Sequence, residues 1–216
     1  MLAPSDSLKA SLGRLADRYH EALDQETLGY LSARGLDQDA VRGNLLGLVT
    51  DPDPLHAEYE GRLAIPYITP TGVVSMRFRC LQQHDCKENG CPKYIQPKGE
   101  PTHLFNVLAL HTAEGVIGVC EGEMDAIMAT LAGLPAVGIP GATNWKPFWH
   151  RLFQDFERVI VLGDGDKAGR EFASKLSHIL PGGEAKVMPD EMDVNSFVVE
   201  RGKEAFREYL SLSVQP

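Results

Sequence analysis

The sequence predicts an α/β protein: a parallel four-stranded sheet with flanking helices, preceded by a smaller α+β subdomain of basic character. Short apolar strands alternate with helices from residue 115 onward, which is typical of a parallel sheet covered on both faces. Residues 60–105 instead carry a hairpin pattern, with six Lys and Arg residues against four acids, although the whole chain has a formal net charge of −9. The two patterns indicate two structurally different parts.

Composition narrows the class of protein. Of 216 residues, 43% are hydrophobic and 24% are charged, which excludes disorder or a fibrous structure for most of the chain. No apolar run approaches the roughly 18 residues of a membrane span, and the first ten residues lack the pattern of a signal peptide. We therefore expect a cytoplasmic protein without a membrane partner. The acidic balance argues against coating duplex DNA by charge alone.

Three segments are expected along the chain: a helical segment over 1–57, the basic α+β subdomain over 58–112 and the α/β domain over 113–216. In the first segment, leucines and a tyrosine recur at three- and four-residue spacing from Leu8 to Leu23. This spacing predicts one buried face of a helix. Two shorter helices are predicted after it, over 25–32 and 38–46.

A β-hairpin is predicted in the basic subdomain. Apolar stretches at 62–68 and 73–79 flank a turn at 69–72 that contains Pro and Gly. Side chains alternate between the two faces of a strand, so Arg77 and Arg79 share one face.

The α/β domain is predicted to contain four strands and four helical stretches in alternation. The strands are expected at 116–120, 136–139, 158–162 and 185–188, and the helical stretches at 124–131, 147–153, 167–180 and 194–210. Ligands of such sheets bind beyond the carboxyl ends of the strands.

Acidic residues follow three of these strands directly or closely. Glu121 follows the first strand, Asp164 and Asp166 follow the third, and Asp193 comes after the fourth. Asp125 lies four residues after Glu121 and can face the same side of its helix. The carboxyl ends of parallel strands share one edge of the sheet, so we expect these carboxylates to lie near one another.

Crowded carboxylates indicate a metal site. Like charges raise each other's pKa unless a cation neutralises them, and carboxylate-rich sites suit Mg²⁺ or Mn²⁺ together with substrate phosphates. Metal ions there can assist phosphoryl transfer, and a carboxylate that is not a ligand can act as a general base. For any single Asp after a strand, the alternative is a helix N-cap or a turn former.

The acidic motifs resemble the toprim domain. They read Glu121-Gly122-Glu123-Met124-Asp125, then Asp164-Gly165-Asp166-Lys167-Ala168-Gly169-Arg170, then Asp193-Val194-Asn195. The middle motif looks like bacterial-type DNA primases, and the flanking two look more like phage primase-helicases. The resemblance implies that Glu121, Asp164 and Asp166 are catalytic and that they hold Mg²⁺ or Mn²⁺ together with Asp125 and Asp193.

The resemblance to primases extends upstream of the acidic motifs. The stretches Leu63–Pro66, Pro92–Ile95 and Leu104–Asn106 are similar in order and spacing to the basic subdomain of the primase core. The resemblance implies that Arg79, Lys93 and Tyr94 contact template or nucleotide. We therefore expect the basic strand face that also carries Arg77 to bind DNA or nucleotide. Lys167 and Arg170, which open the helix after the Asp pair, are expected either to meet triphosphate or to be ordinary surface charges.

The resemblance implies a DNA primase core that makes short RNA primers on single-stranded DNA from ribonucleoside triphosphates. The family's initiation-site zinc ribbon and helicase are not found in these 216 residues, so we expect a separate replicative helicase, a zinc-module subunit, or both as partners, in a phage or mobile element. Two alternatives stay open: a toprim nuclease, and a non-catalytic toprim protein that binds DNA as recombination mediators do.

Three of the four cysteines fall in one short stretch. Cys80, His84, Cys86 and Cys91 supply soft ligands at a spacing that suits tetrahedral Zn²⁺. The residues between them are polar and cannot build a core, so a metal ion would stabilise this loop. The alternative is a reduced, solvent-facing loop with incidental thiols.

Overall fold

The computed structural model describes residues 4–141 and 143–212. Its contacts divide the chain into two compact units, which we call the N-terminal unit, up to Pro101, and the C-terminal unit, from Thr102 onward. Within the described residues, no helix combines the length and the apolar character needed to cross a lipid bilayer.

The N-terminal unit begins with three helices whose starts are fixed by side-chain caps. They are α1 (Asp6–Glu21), α2 (Gln25–Ala33) and α3 (Gln38–Gly43). The side chains of Ser5, Asp24 and Asp37 precede them, and each accepts a hydrogen bond from an amide of the first turn. Such caps satisfy amides that have no partner inside the helix.

An antiparallel sheet follows, and it contains the predicted hairpin. Its strands stand in chain order: β1 (Gly47–Leu48), β2 (Leu63–Thr69), β3 (Gly72–Arg79) and β4 (Tyr94–Ile95). A 3₁₀ helix, Pro54–Tyr59, lies between β1 and β2. The strand β4 is only two residues long, and its partners in β3 are Phe78 and Arg79.

Helix α1 packs against β1, β2 and β3. Its buried residues Leu12, Ala16 and Tyr19 join Phe78 of β3 and Tyr59 in one core. The rings of Tyr59 and Phe78 stack with centroids 4.1 Å apart. The helical segment thus shares a core with the sheet, and the three-segment division at residues 57 and 112 stays a prediction.

A buried histidine in this core makes the stability of the N-terminal unit dependent on pH. His56 is 5% exposed, and its Nδ1 lies 3.1 Å from the hydroxyl of Tyr19. Burial lowers the pKa of His56, while the charges of Asp53 and Glu100 oppose this shift and that of Arg18 adds to it. The unfolded chain then binds a proton more readily than the folded one, so stability is lost as the pH falls below about 6.5.

We expect His56→Gln to reduce this acid sensitivity. Between about pH 7.5 and pH 5.5, wild type should lose more of its free energy of unfolding than the variant, because only wild type must protonate a buried imidazole. Urea unfolding at several pH values measures the difference. His178→Gln, at an exposed position of the C-terminal unit, is the control. Equal pH slopes for wild type and both variants would contradict the prediction.

The C-terminal unit is the predicted α/β domain. Its strands are β5 (Val116–Cys120), β6 (Ala136–Gly138), β7 (Arg158–Gly163) and β8 (Gly183–Val187), and its helices are α4 (Ala109–Thr112), α5 (Glu123–Leu131), α6 (Lys167–Ile179) and α7 (Val194–Tyr209). All four strands are parallel, in the order β6-β5-β7-β8. This confirms the predicted fold class.

Both faces of the parallel sheet are covered. Alternate residues, such as Val119 of β5 and Val161 of β7, pack with Trp149 and with Phe172 and Leu176 of α6. On β5 and β6, helix α5 provides cover and also contacts α7. This two-sided burial explains why β5, β6 and β7 are mostly apolar runs. The edge strand β8 contains Glu184 and Lys186 and is only partly buried.

Several elements differ from their predicted form or bounds. Helix α3 ends at Gly43, three residues before the predicted end. The stretch Pro147–Phe153 is a 3₁₀ helix. The strand β8 starts at Gly183, two residues before the predicted start. Helix α7 is interrupted at Gly202, whose φ of 89° lies in the left-handed region that glycine tolerates.

Candidate active site

The predicted acidic residues meet at the carboxyl edge of the parallel sheet. Cys120 of β5 pairs with Leu162 of β7. Glu121 and Asp164 therefore lie just beyond the carboxyl ends of two adjacent strands. The backbone N–H of Asp164 points toward Oε1 of Glu121 at 3.4 Å. The register of the two central strands therefore places these two residues next to each other.

A cleft of about 310 Å³ opens beside Asp164. Its walls come from the loop after β7 and from the segment between β8 and α7. The lining residues are Asp164, Gly165, Asp166, Glu191, Met192, Asp193 and Ser196. The structure thus gathers three of the predicted acids, Asp164, Asp166 and Asp193, around one cavity.

Two of these acids also cap helices. Oδ1 of Asp166 accepts from the N–H of Gly169 at the start of α6, and Oδ1 of Asp193 accepts from the N–H of Ser196 at the start of α7; both distances are 2.7 Å. The N-cap alternative is therefore correct for both. A cap bond fixes the side chain through one carboxylate oxygen and leaves the second oxygen atom for another role.

Asp125 connects the two helices that face this edge. Its Oδ1 accepts a hydrogen bond of 3.1 Å from the backbone N–H of Asn195, in the first turn of α7. Asn195 itself is buried. Asp125 thus holds the start of α7, which carries Asp193, against α5, which begins beside Glu121.

The electrostatics of Glu121 indicate a site built for positive charge. Burial raises the pKa of Glu121, the carboxylates of Asp166 and Asp125 raise it further, and the N–H of Asp164 partly opposes them. A cation beside Glu121 would reverse the unfavourable interaction among these acids. The donor set therefore fits a hard divalent cation.

The arrangement suits Mg²⁺ or Mn²⁺ better than a metal that needs a complete protein cage. Among residues 4–141 and 143–212, no three of these carboxylates present ligand atoms close enough together to surround one ion. Mg²⁺ usually keeps several waters and binds through one or two carboxylates plus substrate phosphates. An open acidic cleft of this kind meets that requirement.

Gly165 is needed for the close approach of the two loops that form the cleft. Its N–H donates to the carbonyl of Met192 at 2.7 Å, and a Cβ at this position would overlap the carbonyl oxygen of Pro189. Glu191 and Ser196 line the cleft but were not predicted. Ser196 lies three residues after Asp193 and completes a capping box, but the usual sequence signal has Glu or Gln at this position. Nothing in the sequence pointed to Glu191.

The two basic residues of α6 occupy different environments. Arg170 donates to the carboxylate of Asp190 at 2.8 Å and to the carbonyl of Gly165 at 3.1 Å, so it ties the two loops together. Lys167 is 92% exposed, and its Nζ lies 3.9 Å from Glu171. Their predicted role in binding triphosphate stays a prediction.

In the N-terminal unit, the predicted binding residues Arg77, Arg79 and Tyr94 belong to a series of contacts in which arginines and tyrosines alternate. We call Arg34, Tyr30, Arg79, Tyr94 and Arg77 the arginine–tyrosine cluster. The guanidinium of Arg79 lies 5.0 Å from the ring centre of Tyr94 and 5.9 Å from that of Tyr30. Arg77 lies 5.0 Å from the ring of Tyr94, and Arg34 lies 5.2 Å from that of Tyr30.

Arg79 is the centre of this cluster. It is only 5% exposed, and its Nη1 donates to the hydroxyl of Tyr94. The pairing of β3 with β4 puts Arg79 opposite Tyr94, whereas Tyr30 and Arg34 come from the region of α2. Lys93, next to Tyr94, is exposed. Tyr30 and Arg34 were missed as site residues because their partners are distant in sequence.

The predicted zinc ligands also come together. One ligand atom from each of Cys80, His84, Cys86 and Cys91 lies within 4.8 Å of the others. This is the only such group of potential ligands in the part of the chain that the structure describes. The fourth cysteine, Cys120, is buried at the end of β5.

The fold and the acidic edge define a toprim-type protein, and sequence comparison agrees. A family model described as "Toprim-like" matches residues 118–198, from β5 into α7. Gene 57 protein of Mycobacterium phage D29 is 40% identical over 155 residues, covering 69% of this chain and 98% of the phage protein. The chain therefore belongs to the same family as this phage protein, and its residues 118–198 match the Toprim-like domain.

Similarity to DNA primases covers both units. The DNA primase of Aquifex aeolicus (strain VF5) is 25% identical over 255 residues, covering 98% of this chain and 50% of the primase. A solved structure of the DnaG primase catalytic domain bound to single-stranded DNA matches with a TM-score of 0.73 at 20% identity, covering 95% of this chain and 77% of that one. The chain thus has the fold of the primase catalytic core and spans about half the length of the Aquifex primase.

Proposed function

We propose that this chain is the catalytic core of a DNA-dependent RNA primase, which joins ribonucleoside triphosphates on a single-stranded DNA template. The observation that carries the proposal is the acidic cleft at the carboxyl edge of a sheet with the primase-core fold. The curated relatives that are named DNA primases support the same activity. The proposed reaction takes place where DNA is replicated, in the cytoplasm of a bacterial or phage-infected cell.

The acidic residues at the cleft have different proposed roles. Asp164, Asp166 and Asp193 would provide the carboxylates, one or two for each ion, that hold Mg²⁺ or Mn²⁺ and, through it, the triphosphate. Asp125 keeps α7 in place. When bound, the divalent cation neutralises phosphate charge and stabilises the transition state of nucleotidyl transfer. Glu121 lies next to Asp164 and serves as a further ligand or accepts the proton of the attacking hydroxyl.

The arginine–tyrosine cluster would bind the template or an incoming nucleotide. Aromatic rings and guanidinium planes stack on bases without regard to sequence, and positive charge attracts the phosphate backbone. The locally basic composition of residues 60–105 supports this role in a chain that is acidic overall. Exposed Lys93 would add a phosphate contact.

We also propose that Cys80, His84, Cys86 and Cys91 bind one Zn²⁺ ion. Three thiolates and an imidazole are a typical donor set of structural zinc sites. A replicative helicase, a zinc-module subunit that reads the initiation site, or both are the proposed partners, and the similarity to DNA primases supports this proposal.

A primer-synthesis assay tests the proposal directly. The protein is incubated with single-stranded DNA, labelled ribonucleoside triphosphates and Mn²⁺, and the products are separated by size. Labelled oligoribonucleotides that depend on the template are the expected result. Shortened DNA without labelled product would instead assign the cleft to a nuclease, and DNA binding without either product would favour the non-catalytic alternative.

A further inference from the structure

The loop between β3 and β4 is organised around the four potential zinc ligands. In residues 81–93 the other side chains are exposed, except for Leu81, whereas His84, Cys86 and Cys91 are partly buried together with Cys80 just before them. These side chains are shielded by one another, since the polar loop offers no apolar core. A loop of this composition needs a central bond to become rigid.

Two distances within the group match a tetrahedral zinc site. With Zn–S bonds near 2.3 Å and Zn–N bonds near 2.0–2.1 Å, ligand sulfurs should be about 3.8 Å apart, and sulfur and nitrogen about 3.6 Å apart. The sulfurs of Cys80 and Cys91 are separated by 3.8 Å, and Cys80 lies 3.7 Å from Nε2 of His84. The distance from Nε2 to the sulfur of Cys91 is shorter, 3.0 Å.

The backbone between the ligands is folded as a tight turn. The carboxylate of Asp85 accepts hydrogen bonds from the N–H groups of Lys87 and Glu88, and the N–H of Cys91 donates to the carbonyl of Cys86 at 3.0 Å. Gly90, at a φ of 64°, allows the chain to return. The turn points Cys86 and Cys91 back toward Cys80 and His84.

The ends of this loop are also the ends of the strands that carry the arginine–tyrosine cluster. Cys80 directly follows Arg79, and its N–H donates to the carbonyl of Lys93 at 2.9 Å, immediately before Tyr94. The guanidinium of Arg62, at the start of β2, donates to the carbonyl of Pro92 at 3.0 Å. A two-residue strand such as β4 has little pairing of its own to keep it in register.

We propose that Zn²⁺ bound by Cys80, His84, Cys86 and Cys91 holds β4 in register with β3 and so positions Tyr94 against Arg79. The metal thereby controls the geometry of the arginine–tyrosine cluster. The expected effect of the metal on DNA binding rests on the proposed primase function. Its effect on the β3–β4 pairing does not depend on that function.

Metal content and spectroscopy test the site itself. The purified full chain should contain about one zinc ion, and after replacement by Co²⁺ it should show thiolate-to-cobalt charge-transfer absorption. Cys86→Ser should lose most of the bound metal and of this absorption. Gln83→Ala, an exposed non-ligand position in the same loop, should keep both. Absence of zinc together with absence of the charge-transfer band in wild type would overturn the proposal.

Hydrogen exchange tests the positioning role without using activity. The peptide containing the N–H of Cys80 should exchange at least about tenfold faster in the zinc-free protein and in Cys86→Ser than in the zinc-loaded protein. This N–H bonds to Lys93 across the strand pair, so its protection reports the register. Peptides of α6, in the other unit, should not change. Unchanged protection at Cys80 after complete zinc removal would overturn the proposed positioning.

Binding of a fluorescent single-stranded DNA separates this inference from the proposed function. We expect zinc removal and Cys86→Ser to weaken binding at least about tenfold, with Gln83→Ala unchanged. Equal affinity of zinc-free and zinc-loaded protein would overturn control of the cluster by the metal. If zinc-loaded protein binds no DNA while zinc still protects the Cys80 N–H, the positioning is supported and the proposed DNA-binding function fails.

Discussion

Primer synthesis is expected to fall at least about a hundredfold when Glu121 is replaced by Gln, which corresponds to about 2.7 kcal/mol in the activation barrier. The change keeps the size of the side chain and removes its charge. Glu121 lies beside Asp164 at the edge where the acidic cleft opens. A neutral amide there can neither accept a proton nor bind Mg²⁺ or Mn²⁺ as a carboxylate does.

The same variant should be more stable than wild type in the absence of metal. Burial and neighbouring acids raise the pKa of Glu121 in the folded protein, so the unfolded chain releases this proton first. Between the two pKa values the folded state binds more protons, and stability falls as the pH rises. At neutral pH the ionised side chain opposes folding, and the uncharged Gln removes this effect.

Two measurements therefore check this first prediction. The primer assay with Mn²⁺ follows activity, and urea unfolding in the presence of a chelator follows stability. Glu171→Gln, at an exposed position of α6, is the matched control and should retain wild-type activity and stability. A Glu121→Gln protein with normal turnover would refute the assignment of this residue, and a variant that is inactive because it is unfolded would be recognised by its circular dichroism.

Single-stranded DNA should bind at least about tenfold more weakly to Arg79→Lys, a loss of about 1.4 kcal/mol. Lysine keeps the positive charge but lacks the planar guanidinium that contacts Tyr30 and Tyr94 together. Tyr94 then loses the donor that fixes its hydroxyl. The cluster should therefore lose its geometry while its net charge is unchanged.

The salt dependence of binding distinguishes geometry from charge. Because the number of cations is the same, the slope of log affinity against log salt should be close to that of wild type for Arg79→Lys. Arg42→Lys, on the exposed surface of α3 in the same unit, should change neither affinity nor slope. Tyr94→Ala should weaken binding at least as strongly as Arg79→Lys, since base stacking on an aromatic ring is worth about 1–3 kcal/mol. Wild-type affinity in both Arg79→Lys and Tyr94→Ala would exclude the cluster as the DNA site.

The parallel sheet could be predicted because most of its strands are recognisable from a few consecutive residues. The strands β5, β6 and β7 are short, mostly apolar runs, which is typical of strands that are buried on both faces. The acidic edge followed from the same pattern, since residues that directly follow parallel strands must share an edge. For this reason Glu121, Asp164 and Asp166 could be placed together without knowledge of the strand order.

Other parts of the site depend on contacts between residues far apart in the chain. Glu191 reaches the cleft because Gly165 allows the loop before α7 to pack closely against the loop after β7. Tyr30 joins Arg79 although 49 positions separate them in the sequence. The periodicity of the sequence reveals neither contact, because both contacts arise from packing between separate elements.

By itself, the sequence determined the order of strands and helices, the acids at the strand ends and the metal-type spacing of Cys80 to Cys91. Only the tertiary structure showed that Asp166 and Asp193 each use one carboxylate oxygen to cap a helix. It also showed that the arginines and tyrosines of the arginine–tyrosine cluster contact one another in alternation. The physical reason is that apolar periodicity specifies which side of an element is buried. It does not specify which distant partner covers that side, and this choice is made by packing of the whole unit.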